Sequence, residues 1–277
     1  IDNDKNQTLF VTNTNTQKTK KIKNATSGKF STNNAWIAYA RILPGKASKK
    51  AKKKAPKKLG VLNLSTNDTL EFKDVVNYKF SGASSYLAMK RQKNKANTLI
   101  VRDLNTGNEI TFGNIKEYTW QDKGTLLAML INTSDKVGNA IQLYNPATGV
   151  LKVLDQKSEL YSGLRWRKNS DDLFVFRKKT TKNYKVNSFD LLFWKGINSK
   201  LTKYIFSQSE FSNFPIDTRI SNRTAQFSED GNQVYFNTEY RKPKPKKEKK
   251  GKPKKVKSIT DKDEAPDLQI WNSSDAV

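Results

Sequence analysis

"FSEDGNQVYF", residues 227–236, opens on a large aromatic, crosses a short polar turn and resumes as alternating apolar and polar residues. An Asp-Gly pair between such runs is a strong local signal for a two-stranded hairpin. Four other stretches share the layout: "FSTNNAWIAY" from Phe30, "FSGASSYLAM" from Phe80, "WQDKGTLLAM" from Trp120 and "WRKNSDDLFVF" from Trp166. The five leading aromatics, Phe30, Phe80, Trp120, Trp166 and Phe227, follow one another at spacings of 50, 40, 46 and 61 residues. Self-similarity at such a period marks a repeat architecture.

Each hairpin is followed by a second strand-turn-strand element. These are "LGVLNLSTNDTLEF" (59–72), "TLIVRDLNTGNEITF" (98–112), "AIQLYNPATGVLKVL" (140–154), "DLLFWKGINSKLTKY" (190–204) and the shorter "LQIWNSSDAV" (268–277). "TLFVTNTNTQKTKKI" (8–22) is the same element without a hairpin before it. Alternating Val, Ile, Leu, Phe and Tyr between Asn, Gly and Pro turns reads as β throughout, with no helical periodicity. Each unit is therefore four antiparallel strands, A to D, in about 40 residues, the size of one β-propeller blade. The expected fold is an all-β propeller with units beginning near residues 28, 78, 118, 163 and 225. Five to six blades are visible, within a ring of seven or eight. A single blade cannot cover both its faces, so neighbours must stack. The leading aromatics are expected to be buried as wedges between them.

Apolar residues make up 35% of the 277 and aromatics 10%, a real core diluted by polar loops. The formal charge of +26 is uneven. Residues 46–58 carry eight Lys and no acid, and residues 241–257 carry eleven Lys or Arg against Glu248. These runs hold Lys, Pro and Ala with no hydrophobic period, as solvated segments do. The chain thus reads as one propeller domain, 1–277, with Lys-rich insertions at 44–58 and 241–265. Both insertions fall between strands B and C of their blades. Strand direction alternates, so B–C and D–A loops share one end of the blades. Lys49, Lys50, Lys53 and Lys54 of the first run and Lys246, Lys247, Lys249 and Lys250 of the second are therefore placed on one face. The longest D–A connection, "IFSQSEFSNFPIDTRISNRTAQ" (205–226), is on that face too. Long loops on a regular scaffold are where binding usually resides, although the same runs also read as spacers without a partner.

The chain has no histidine and no cysteine. That excludes a Ser-His-Asp triad, histidine or cysteine metal sites and a disulfide framework. Neither G-x-S-x-G nor G-x-x-x-x-G-K-[ST] occurs. "DKDEAPD" (261–267) lacks the Gly and terminal Glu of a calcium loop. Asp230-Gly231 and Asp171-Asp172 read as turns. Arg165, Arg167 and Arg219 could meet carboxylates, but the sequence names no ligand. No catalytic residue, metal site or cofactor is expected on this chain. No segment approaches the roughly 18 consecutive apolar residues of a membrane helix. The N-terminus, Ile1-Asp2-Asn3-Asp4, lacks Met and is no signal peptide, so the chain is expected to be part of something longer.

The run "FPIDTRISNRTAQFSEDGNQVYF" (214–236), followed by a Lys-Pro-rich insertion and "APDLQIWNSSDAV" (265–277), resembles a known family. It is similar to the N-terminal propeller of bacterial serine peptidases of the prolyl oligopeptidase and dipeptidyl peptidase family. The resemblance is clearest over 205–277; the earlier blades match as generic propeller repeats. It implies a C-terminal α/β-hydrolase domain of the same parent chain that carries the Ser, Asp and His. The propeller would then cap the active site, exclude folded proteins and admit peptide substrates. The dipeptidyl branch holds a substrate amine with propeller glutamates, and no Glu-Glu pair occurs here. By the family's secreted members, the resemblance implies the bacterial periplasm or cell envelope. Two other readings stand beside it. One is a stand-alone propeller binding protein or peptide partners. The other is a polyanion or nucleic-acid binder, for which the Lys runs without aromatics would give only sequence-blind, salt-sensitive contacts and no specific nucleic acid.

Overall fold

The computed structural model describes residues 7–42, 58–82, 86–93, 96–215 and 217–244. All but the last of these residues fall in one compact unit. The strands arrange as separate antiparallel sheets in chain order. A two-stranded sheet comes first, β1 (Thr8–Thr12) with β2 (Thr19–Lys23). The first four-stranded blade follows: β3 (Ala25–Phe30), β4 (Trp36–Arg41), β5 (Lys58–Asn63) and β6 (Thr69–Phe72). The second is β7 (Val75–Phe80), β8 (Tyr86–Lys93), β9 (Ala96–Asp103) and β10 (Glu109–Gly113). The third is β11 (Ile115–Trp120), β12 (Leu127–Ile131), β13 (Ala140–Asn145) and β14 (Val150–Gln156). The fourth is β15 (Tyr161–Trp166), β16 (Leu173–Lys179), β17 (Ser188–Lys195) and β18 (Thr202–Phe206). A fifth begins with β19 (Thr218–Phe227) and β20 (Val234–Tyr240). These are the expected propeller blades: one half-blade, four complete blades and the first two strands of a fifth. The "LQIWNSSDAV" strand lies outside the described residues, as do the eight singled-out lysines and "DKDEAPD".

Local chemistry repeats with the blades. Each leading aromatic pairs with the first aliphatic residue of strand B, as in Phe80 with Leu87, Trp120 with Leu127 and Trp166 with Leu173. The next residue closes the A–B turn: the amides of Ser31, Ser81, Gln121, Arg167 and Ser228 each donate to a carbonyl five residues on, at 2.8–2.9 Å. Asx turns close the C–D hairpins, where Asn13, Asn63, Asp103 and Asn145 accept from the amide two residues later. At four of the five D-to-A crossings the residue before strand A has positive φ: Asn24, Asp74, Asn114 and Asp217. Asn and Asp are the non-glycine residues that tolerate this conformation best. The carbonyl of each accepts from the chain leaving strand B of the same blade, as Asn114 does from Asn132 at 2.9 Å.

In the four complete blades, strands B and C are buried on both faces. Along β12, Leu127 and Met129 join the apolar cluster shared with the second blade, whereas Ala128 and Leu130 join the one shared with the fourth. Along β16, Leu173 and Val175 face the third blade and Phe174 and Phe176 the fifth. This is the period-2 alternation of a strand, with a neighbour on either side. Among the described residues each junction between successive sheets has its own apolar cluster. That pattern is the radial stacking the repeat requires.

The wedge expectation meets mixed results. Trp120, Trp166 and Phe227 are 7%, 8% and 9% exposed. The indole Nε1 of Trp120 donates to the Lys79 carbonyl at 3.0 Å, and that of Trp166 to the Thr119 carbonyl at 3.1 Å. Each tryptophan thereby ties its own strand A to the strand A before it. Phe80 is only half-buried. Phe30 is 54% exposed, contrary to the expectation. The sheet before it consists of β1 and β2 alone, so among the described residues no preceding strand A covers it. The long D–A connection is also shorter than its sequence suggests. β18 runs to Phe206 and β19 starts at Thr218, leaving 207–217, with a 3-10 turn at Gln208–Glu210. "TRISNR" reads as loop because its ladder is interrupted. Ile220 pairs with Thr238 and Ala225 with Phe236, so four residues of β19 oppose a single residue of β20.

Candidate functional site

The two ends of the blades differ in how their polar groups are used. At the A–B end, three of the four successive turn pairs among the described residues are latched together. Thr32 Oγ1 donates to the Ser81 carbonyl at 2.8 Å, and Gln121 Nε2 to Asp171 Oδ1. Arg167 Nη1 donates to the Glu229 carbonyl at 2.7 Å while its Nε holds Asp172 at 2.8 Å. Asp172 Oδ1 also accepts the Gly196 amide. Asp171 and Asp172 lie at the turn, as read from the sequence, and their carboxylates also serve as latches. Asp230 caps its own turn by accepting the Asn232 amide at 3.0 Å, and Gly231 supplies the positive φ of 72°. Arg165 is exposed beside a cleft of about 550 Å³ between blades four and five, and makes only a 3.4 Å contact to the Ala225 carbonyl.

The B–C and D–A end is where cations collect. The first insertion leaves from β4 and returns at β5, a B–C slot. The second begins after β20, and its root is pinned. The Lys185 amide donates to the Lys242 carbonyl at 3.1 Å, and Tyr184 bridges to Pro243. The Arg241 guanidinium lies 3.8 Å from the centre of the Tyr184 ring, a cation–π stack. The 180–187 loop of blade four, itself a B–C loop, therefore holds the root of the second lysine run.

Beside that loop lies a cleft of about 360 Å³ between blades three, four and five. Four cations line it, Lys116, Lys178, Lys185 and Arg219, and no Asp or Glu does. Lys116 is placed there by a bulge. Ile115 pairs with Ile131 and Glu117 with Leu130, so Lys116 is the extra residue of β11. A bulge re-aims the side chain it carries. Lys116 Nζ crosses to the Tyr161 carbonyl of blade four at 2.9 Å. Arg219 sits at the start of β19 and donates to the Asn187 carbonyl at 3.1 Å and to Glu239 at 2.5 Å. Two polar atoms in the wall, Ser162 Oγ and Arg219 Nε, are buried with no hydrogen-bond partner among the described residues. Of the three arginines singled out from the sequence, only Arg219 belongs to this cleft. Lys116, Lys178 and Lys185 were indistinguishable there from ordinary surface lysines.

A buried ionic network supports the floor. Tyr161 is 2% exposed and donates its hydroxyl to Asp155 at 2.7 Å. Lys203 donates to Asp155 at 2.6 Å, and Arg177 reaches both Asp155 at 3.5 Å and Asp190 at 2.9 Å. Ser207 donates to Asp190 at 2.8 Å. Burial alone would raise the Asp155 carboxyl, but the hydrogen bonds from Lys203 and Tyr161 and the charges of Lys203 and Arg177 hold it below its ordinary value. Burial, then the hydrogen bond to Asp155, push the Tyr161 phenol well up, so it stays a neutral donor. The network satisfies its own charges, and of the cations lining the cleft Arg219 is paired with Glu239.

No protein-family model matches the chain, and no curated protein does. Among solved structures it is similar to the β-propeller domain of the Trilobed protease from Pyrococcus furiosus, at 15% identity and a TM-score of 0.45 over 71% of this chain and 59% of that one. It is similar to Pyrococcus horikoshii acylaminoacyl peptidase at 16% identity and a TM-score of 0.39, over 65% of this chain and 32% of that one. It is also similar to TolB from Acinetobacter baumannii, at 11% identity and a TM-score of 0.34, over 73% of this chain and 49% of that one. The chain therefore spans between a third and three fifths of these structures. The first is the propeller domain of a protease and the second a peptidase. These are likenesses of fold.

Proposed function

We propose that this chain is the non-catalytic propeller portion of a serine peptidase of the prolyl oligopeptidase type, capping the active site and selecting peptide substrates. The observation that carries the reading is the blade at residues 218–244. The family-like run 214–236 forms strands A and B of a blade. The Lys-Pro-rich insertion begins where strand B ends, in the slot the resemblance assigns to it. The absence of any histidine supports the division of labour: a Ser-His-Asp apparatus must come from elsewhere. What a propeller can supply is a stacked wall with loops at one end, which decides what reaches a site beneath it.

The test is made on the full-length parent protein. It should cleave short peptides and spare the same sequences embedded in a folded protein. Loosening the wall by Trp166→Ala should narrow that difference. Equal cleavage of free and embedded sequences by the intact protein would overturn the gating role.

A further inference from the structure

We infer that the cleft between blades three, four and five is a binding site for the carboxylates of an acidic peptide segment. Lys116, Lys178, Lys185 and Arg219 line it without an acidic neighbour in its wall. Arg219 is matched by Glu239, and Lys116 is spent on a carbonyl, which leaves its charge in place. Among the described residues Lys178 and Lys185 form no ion pair. Like charges gathered in a cleft with low-dielectric walls focus a positive potential that an incoming anion relieves. Burying a polar atom with no partner is unfavourable. Ser162 Oγ and Arg219 Nε are two such atoms in the same wall.

The cleft volume suits one or two side-chain carboxylates. Nucleic acid is disfavoured, since base recognition needs exposed aromatic platforms. The aromatics here are Tyr161, which is buried, and Phe189, which is half-buried. Arg241 and Lys242, held against the 180–187 loop, add positive charge beside the cleft that favours the approach of an acidic chain.

This assignment deepens the peptidase reading by naming a substrate class, but its test needs only the 277-residue chain. Calorimetry at low salt compares N-acetylated, C-amidated hexaglutamate with hexaglutamine, with inorganic phosphate as competitor. Hexaglutamate should bind at least about tenfold more tightly than hexaglutamine. Lys178→Gln with Lys185→Gln should weaken it about tenfold, and Lys185→Glu alone, on an exposed loop, should do the same, with melting temperatures unchanged. Equal binding of the two peptides, or no effect of either lysine variant, would overturn the cleft. So would phosphate displacing the peptide at equal concentration, which marks a free-oxyanion site. Such a failure leaves the peptidase reading standing. Conversely, a parent without a catalytic serine would remove that reading and leave the cleft.

Discussion

Trp120 and Trp166 each combine an apolar wedge with one hydrogen bond to the preceding inner strand. Removing a buried large aromatic costs about 3–5 kcal/mol. Trp166→Ala should therefore lower unfolding stability by about that much in urea titration. Trp166→Phe keeps most of the wedge and loses the hydrogen bond, for about 1 kcal/mol. Phe30→Ala, at an exposed site, should stay within about 0.5 kcal/mol. The contrast shows what the sequence could and could not reveal at this scale. The aromatic is legible at every repeat. Whether it is covered depends on the neighbouring blade, which no local pattern encodes. Asp155 gives a pH signature. Its folded pKa lies below the ordinary carboxylate value of 3.8, so it contributes stability that is fully present above that value. The contribution is lost as pH falls through the folded pKa, because protons then favour the unfolded chain. Asp155→Asn should flatten this acid limb. It should also cost on the order of 3 kcal/mol at neutral pH, since Arg177 and Lys203 lose a buried partner. An acid limb unchanged in the variant would assign the loss to other carboxylates.

At the level of elements, turns and crossings set the blade. The hairpin turns were legible because their chemistry is local: Asp230-Gly231 and Asn145 to Gly149 need a left-handed residue, and Gly231 and Gly149 have φ of 72°. The D-to-A crossings are also local, in that Asn24, Asp74, Asn114 and Asp217 each precede strand A. Asn114→Gly should be nearly neutral, whereas Asn114→Val should cost about 1–2 kcal/mol by thermal melting, the strain of a β-branched side chain at positive φ. Equal stability of the two variants would place Asn114 outside the left-handed region. The bulges were not legible. Lys116 in β11 and the four-residue interruption of β19 arise from how one strand pairs with the next. The candidate cleft is built on those bulges and on the 180–187 loop. It remained hidden behind lysines that look like solvated surface.

For the whole molecule, sheets stack in chain order with an apolar cluster at each junction among the described residues. One end is closed by latched turns and the other carries cations and the roots of the basic insertions. The chain has no histidine, so a Ser-His-Asp triad cannot form from its residues alone. The central claim is that the chemistry resides beyond this stretch of chain. The most direct measurement is to label the native full-length protein with a fluorophosphonate, which reacts with activated serines, and to map the modified residue. The account predicts a single labelled serine outside residues 1–277, in a G-x-S-x-G sequence. A label on any serine within 1–277, or no labelled serine at all in the intact native protein, would contradict it.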